Sequence, residues 1–301
     1  MKRISAKRTV TTSFLVDLGD IIINVIVMII TGSVVMLAEA LEGGSDLVAS
    51  AALLIGLRIS KRRADKKHPF GYGKALFSWT LISAIIMLVF AASLSFYFGL
   101  QRYLDPQEIK NIYLAYAALG ISIITNGYSL SLSTRRLLHR QRFKKLIQVF
   151  LRSTHVETKN TFILDFTGTA AAVLGLISLV LYQVAGIQHF DGIGAMLIGV
   201  VIAFSSIVLI WGVKNYLVGK PAPPEIEKQV RQAALQVNQV KEIVEINTMY
   251  LGSEKLLIHL DIQLDANTGK EIEAVVEKVK ERIKKEIPIA YSIQIETKMP
   301  K

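Results

Sequence analysis

Six stretches of this 301-residue chain read as membrane spans, and that leaves its fold little freedom. A helix needs about 20 apolar residues to cross the hydrocarbon core of a bilayer. The stretches run from about Thr12 to Ile30, Val34 to Leu57, Ala75 to Leu100, Ile112 to Ser133, Thr161 to Val184 and Ile193 to Tyr216. Hydrophobic residues make up 51% of the chain and the mean hydropathy is +0.42, more apolar surface than a soluble domain of this size needs. The sequence Thr-Gly-Ser joins the first two stretches, which predicts a tight helical hairpin.

Basic residues orient the spans. The N-terminal tail carries four Lys or Arg, residues 58–74 carry seven and residues 135–159 carry eight. Residues 101–110 carry two, and the first and last outer connections carry none. Cytoplasmic loops hold the excess of Lys and Arg, so both termini are expected in the cytoplasm. A membrane surface therefore explains the net charge of +11 better than nucleic acid does. Cysteine is absent, which excludes disulfides and thiolate metal sites. MKRISAKR is basic, but Asp17 and Asp20 interrupt the apolar stretch behind it, so no cleavable signal is expected.

Past Tyr216 the composition changes. KPAPPEIEKQV carries three prolines and opens a charged helix, Glu225 to Val237. Val240 to Tyr250 and Leu256 to Leu264 read as strands around a turn at Leu251, Gly252 and Ser253. Thr268 to Glu286 is amphipathic with helical period, and Tyr291 to Thr297 is a last strand. The expected fold class is an α-helical membrane protein. Six transmembrane helices occupy residues 1–218, and a small cytoplasmic α+β dimerisation domain, αββαβ and ferredoxin-like, occupies residues 219–301.

Charged and polar residues inside the spans carry the functional signal. Glu39, Glu42 and Asp46 stand at i, i+3 and i+7 on the second span and so share one helical face. The fifth span aligns Thr161, Asp165 and Thr169, with Asn160 beside them. The first carries Asp17, Asp20 and Asn24, and the fourth a stripe of Ser122, Asn126, Ser129 and Ser133. Lipid penalises such groups, so aligned polar faces predict a shared hydrophilic interior. Glu42 and Asp46 at i, i+4 point two carboxylates at one place. Anions that close repel each other; a divalent cation removes the repulsion, and so do protons. A site alternating between those two states is a cation/proton exchanger in outline, and Asp165 from another helix completes it. Gly43 and Gly44 between the acids weaken the helix there. Glu39 reads either as a further member or as a solvated residue near the outer end of its helix. Asp17 and Asp20 read as lining a wet vestibule, and the stripe on the fourth span as helix packing.

The segments GSVVMLAEALEGGSDL and LLIGLRISKRRADKKHPFGYGK, with NTMYLG and IQIE further on, resemble the cation diffusion facilitators, a family of divalent metal efflux transporters. The resemblance covers nearly the whole chain and is greatest to the ZnT9-like branch. It implies a homodimer in a lipid bilayer that exchanges Zn²⁺, Mn²⁺ or Fe²⁺ for protons by alternating access, with no other cofactor. Its membrane ligands fall on Glu42, Asp46, Thr161 and Asp165; Glu42 and Thr161 replace the His or Asp usual there, and Asn160 is a substitute ligand. The five histidines, at positions 68, 139, 155, 189 and 259, lie outside the spans, so the site is oxygen-only. Oxygen donors suit Mn²⁺, Mg²⁺ or Fe²⁺, whereas the family points to zinc. Asp65 and His68 match two members of an accessory loop site, with Tyr72 where a third ligand would stand; ordinary loop polarity is the alternative. Lys74 matches a lysine that ties the third helix to the end of the sixth through a salt bridge, although no acid stands near Gly219 and Lys220. In the C-terminal domain His259, with Glu273, Gln294 and Glu296, marks where relatives bind regulatory metal. With one histidine this chain is expected to use that domain for dimerisation, without strong metal binding.

The reading that follows is a proton-coupled divalent metal exporter, in the simplest case in a prokaryotic plasma membrane. A metal-binding membrane scaffold or sensor without transport is the alternative, and a passive channel is a third. No nucleophile–base arrangement or phosphate-cradling loop points to an enzyme.

Overall fold

The structure, a computed structural model, describes residues 6–138, 142–152, 156–265 and 268–298, without the side chains of residues 6–17, 151 and 152. His139, His155 and the side chain of Asp17 lie outside the described residues. The chain divides into two compact units, residues 1–58 with 78–214 and residues 59–77 with 215–301.

The first unit is helical. Its elements are α1 (Ala6–Thr31), α2 (Val34–Ser60), α3 (Ala75–Leu104), α4 (Ile112–Leu138), α5 (Leu146–Arg152), α6 (Val156–Ala185) and α7 (His189–Val218). Four of them, α2, α3, α6 and α7, are long and apolar enough to cross a membrane. In α1 the described apolar part is shorter, Leu18–Thr31. Helix α4 has the length, but hydroxyls and Asn126 dilute its apolar character. Most helices run past the expected spans; α6 begins at Val156 and α7 at His189, because a helix persists into the interface where polar residues are solvated. The connection over residues 135–159, expected to be plain loop, contains a 3₁₀ turn at Phe143–Lys145 and then α5.

One buried carboxylate fixes the start of α2. Gly32 takes a φ of +69°, a conformation natural to glycine, and its N–H closes α1 on the Met28 carbonyl at 2.8 Å. Asp191, in the first turn of α7, then caps α2 from across the bundle. Its Oδ1 accepts from Ser33 Oγ at 2.6 Å and from Val35 N at 3.1 Å, and its Oδ2 from Val34 N at 3.0 Å. The first N–H groups of a helix have no partner within the helix, and a carboxylate also suits the positive end of its dipole. Arg102 of α3 brings Nε to 3.6 Å from Asp191 Oδ2 and donates to the carbonyls of Gly32 and Gln107. Around this anchor Val35, Met36, Ala38, Leu119, Leu179, Ile198 and Ile202 form the buried core.

The second unit is two-layered. After α8 (Pro224–Leu235), strand β1 (Val240–Gly252) pairs antiparallel with β2 (Lys255–Leu264). Helix α9 (Gly269–Glu286) then leads to β3 (Ala290–Lys298), which pairs parallel with β2, so β2 is central. Leu256, Ile258, Leu260, Ile262 and Leu264 are buried at every second position, the period of a half-buried strand. Val275, Val279 and Ile283 bury the matching face of α9, each contributing about 1.5–3 kcal/mol. Thr268 and Glu271 cap that helix reciprocally.

The sequence HPFGYGK belongs to this unit. Asp65 accepts from Lys67 N at 2.9 Å, His68 N at 2.8 Å and the Tyr72 hydroxyl at 2.7 Å, which shapes the loop. The Tyr72 hydrogen bond holds the Asp65 carboxyl below its usual range, and the carboxylate pushes the Tyr72 phenol up. Gly73 lies against Leu251 and Gly252 so closely that a Cβ there would overlap the Leu251 carbonyl.

Two predictions concern stability. Asp191→Ala leaves Arg102 and the first N–H groups of α2 without their carboxylate and costs about 3–5 kcal/mol, whereas Ser33→Ala costs about 1 kcal/mol; thermal melting of the purified full chain measures the difference. Gly73→Ala displaces the loop and speeds protease cleavage within residues 59–77, while Gly269→Ala, where a Cβ meets open space, leaves the cleavage rate unchanged.

Candidate metal centre

Helix α2 carries its three carboxylates down one side, as their spacing requires. Glu42 is 3% exposed and Asp46 half-buried. Glu39 is 2% exposed, which rules out the solvated alternative for it. Ser45 Oγ bonds back to the Glu42 carbonyl at 2.7 Å, a contact that tends to bend a helix and follows directly on the Gly43–Gly44 pair. Gly43 admits α1 closely: a Cβ there would stand 3.0 Å from Ile21 Cγ1.

Helices α4 and α6 supply the opposite wall. A Cβ on Gly168 would lie 3.2 Å from Glu42 Oε1 and 3.1 Å from Asn126 Nδ2. The absence of a side chain at Gly168 therefore makes room for a carboxylate of α2 and a carboxamide of α4 over the backbone of α6. Asp165, three residues before Gly168, is half-buried with Ser133 and Arg136 of α4 beside it. Thr161 spends its hydroxyl hydrogen on the Glu157 carbonyl at 3.0 Å, which leaves oxygen lone pairs to offer. Asn160 is 1% exposed, and neither its Oδ1 nor its Nδ2 has a hydrogen-bond partner among the described residues. An unsatisfied buried polar group costs about 1–3 kcal/mol, so a ligand for Asn160 has something to repay.

The candidate residues do not close into a cage in this conformation. Among the described residues, one group of three His, Asp or Glu side chains holds its ligand atoms within 4.8 Å of one another, and it lies elsewhere: His259, Asp261 and Glu296. His259 Nε2 stands 3.4 Å from Glu296 Oε1 and 3.9 Å from Asp261 Oδ1. Asp261 was not among the sequence candidates, although its position two residues from His259 on one strand puts both on the same face. Lys298 Nζ already holds Asp261 Oδ2 at 2.8 Å and competes with any cation there. Gln294 is opposite His259 in the strand register, and Glu273 is exposed on α9.

Other expectations take a different form. Lys74 Nζ donates to the Leu217 carbonyl at 3.3 Å and approaches Met249 Sδ at 3.9 Å. The lysine thus reaches the end of α7 through a last-turn carbonyl, a common way to satisfy a helix C-terminus, and needs no acid at 219 or 220 for that contact. His68 Nδ1 lies 3.7 Å from Asp65 Oδ1, and its ring stacks on Tyr72 at 4.1 Å between centroids. Asp20, read as vestibule lining, is tied to Asn24 of the same helix and to Ser122. Asn126, read as helix packing, shares the Gly168 gap with Glu42. The Asp191–Arg102 pair was missed; it stands at helix ends, where charge carries no signal in a hydropathy reading.

Comparison with known proteins matches this arrangement. The cation efflux transmembrane domain matches residues 10–218, and the cytoplasmic domain of cation efflux proteins matches residues 222–298. The human proton-coupled zinc antiporter SLC30A9, mitochondrial, is 26% identical over 79% of this chain, which spans only 42% of that protein's length. The uncharacterized transporter YdbO of Bacillus subtilis is 25% identical over 90% of this chain and 88% of its own. The magnetosome protein MamB of Magnetospirillum gryphiswaldense is 25% identical over 94% and 90%. With a family domain covering most of its length, and apolar helices of spanning length, this membrane protein belongs to the cation efflux, or cation diffusion facilitator, family.

Proposed function

We propose that the chain is a proton-coupled exporter of a divalent metal of the zinc, manganese and iron class, working as a homodimer by alternating access. The observation that carries this reading is the Glu42 carboxylate, buried over Gly168 beside Asn126 on a helix apolar enough to cross a membrane. Helices α1, α2, α3, α4, α6 and α7 are the six spans over residues 1–218, and residues 219–301 pair two protomers. The excess of Lys and Arg on one set of loops supports cytoplasmic termini, in a prokaryotic plasma membrane in the simplest case. Metal meets Glu42, Asp46, Thr161 and Asp165 from the cytoplasm, with Asn160 as a further oxygen or nitrogen neighbour. It displaces protons, the helices rock, and proton uptake on the far side helps to release it. The name of SLC30A9 supports zinc and protons as the exchanged ions; the oxygen-rich ligand set supports manganese or iron. Asp65 serves its loop, where Lys67 N, His68 N and the Tyr72 hydroxyl all donate to it and shape the turn.

One observation favours the scaffold or sensor reading: the carboxylates are not drawn together within 4.8 Å. Vesicles decide between the two. In the reconstituted full chain, Asp46→Asn and Asp165→Asn abolish metal-driven proton flux while the dimer survives size-exclusion chromatography. Ser133→Ala, which removes the hydroxyl beside Asp165, weakens metal affinity about tenfold. Full flux in the Asp46→Asn/Asp165→Asn double variant overturns the site; metal binding without flux in the parent chain establishes the sensor; flux indifferent to an imposed pH gradient establishes a channel.

A further inference from the structure

A second set of oxygens stands on α1 and on the turn of α2 that precedes Glu42. Asp20 of α1 accepts from Ser122 Oγ at 2.9 Å on Oδ1 and from Asn24 Nδ2 at 3.2 Å on Oδ2. Asn24 is fully buried, and its Oδ1 has no hydrogen-bond partner among the described residues. Glu39, equally buried, has an unpartnered Oε1 and lies within electrostatic reach of Asp20. Depth places Asn24 and Glu39 at one level, with Asp20 a helical turn deeper on α1. Asn24 stands eight residues before Gly32 and Glu39 seven after it. Both helices rise about 1.5 Å per residue from that turn, so the two side chains sit at the same height in an antiparallel hairpin. About one turn further from the connection, a Cβ on Gly43 would stand 3.0 Å from Ile21 Cγ1, so the two helices of the hairpin are closely packed there.

These groups differ from a set of satisfied core polar residues. The unpartnered atoms of Asn24 and Glu39 are oxygens, and the Asn24 nitrogen already donates to Asp20, so this group has lone pairs to offer a cation. Ser122 and the Asn24 nitrogen orient the Asp20 carboxylate from outside, as outer-shell groups orient metal ligands. The free atoms are all oxygens, the donor type of hard divalent ions such as Mn²⁺.

We propose that Asp20, Asn24 and Glu39 form a second divalent-cation site in the membrane unit, which takes the metal after it leaves Glu42 and Asp46. Only the order of occupation rests on the exporter reading; the existence of the site does not. Glu39 then belongs to this station rather than to the first.

The test is Mn²⁺ titration of the purified full chain, followed through the free-ion paramagnetic resonance signal. All variants carry His259→Ala, so that the C-terminal group is not counted. The parent is expected to bind about two Mn²⁺ per chain in its membrane unit. Asp20→Asn/Glu39→Gln loses one of them and keeps the other, and so does Asn24→Leu, which leaves every charge in place. Asp46→Asn/Asp165→Asn loses the complementary ion, and the combined variant binds neither. Each variant is checked for an unchanged melting curve; because neutralised carboxylates keep their shape, Asp20→Asn/Glu39→Gln is expected to pass, and Asn24→Leu gives an independent reading. If both changes at this cluster leave the stoichiometry at the parent value, the second site does not exist. If they remove one ion while Asp46→Asn/Asp165→Asn removes none, the second site stands and the exporter site of the preceding section falls.

Discussion

The structure turns on how a carboxylate is held where water is scarce. Asp191 shows one solution. It receives a hydroxyl, two backbone N–H groups and a guanidinium, and its charge is spent on joining the ends of α2, α3 and α7. Nothing is left over for a ligand. Glu39 has an oxygen to which the described residues offer no hydrogen bond. The same chemical group is structural in one place and available in the other, and the inventory of its partners is what separates them. Because α2 carries Glu39, Glu42 and Asp46 and Asp191 fixes its first turn, the position of that candidate face depends on a contact made at the helix end.

Much of this was legible in the sequence, and the reason is periodicity. Apolar runs located the helices, and the i, i+3, i+7 spacing put Glu39, Glu42 and Asp46 on one face without any knowledge of the neighbours. The αββαβ order followed from alternation in Leu256–Leu264 and the amphipathic period of Thr268–Glu286. What escaped was pairing between distant elements. Ser33 and Asp191 are 158 residues apart, and neither looks unusual within its own segment. Gly168 is equally silent, since its importance lies in what its missing side chain admits. Asp261 escaped for a different reason: it is an ordinary polar residue on a strand until β3 brings Glu296 beside it.

The loop between α2 and α3 illustrates how a family signature can have a structural cause. Asp65 gathers the turn, Gly73 admits the Leu251 carbonyl and Lys74 reaches the last turn of α7. Each residue of that stretch has a partner in the unit formed with residues 215–301, and none of these contacts needs a metal. A signature-like motif near charged residues invites a binding assignment, but Asp65 is held by three hydrogen bonds from its own loop. The membrane unit supplies the contrast, with buried atoms of Asn24, Glu39 and Asn160 to which the described residues offer no hydrogen bond.

The open arrangement of Glu42, Asp46 and Asp165 suits an exchanger as well as a sensor. Three carboxylates brought into contact without a cation repel one another in a low-dielectric interior. A protein that held them there would store that repulsion in every empty molecule, and would release a bound ion reluctantly. Side chains on separate helices, with Gly43, Gly44 and Gly168 thinning the walls between them, can instead close when the ion supplies the compensating charge. The ion then shifts the helices by as much as its affinity for the closed arrangement exceeds its affinity for the open one. Protons neutralise the same oxygens without drawing them together, because a proton sits on one carboxylate where a metal bridges several. On this reading, the difference between bridging and capping the same acids couples metal and proton movement.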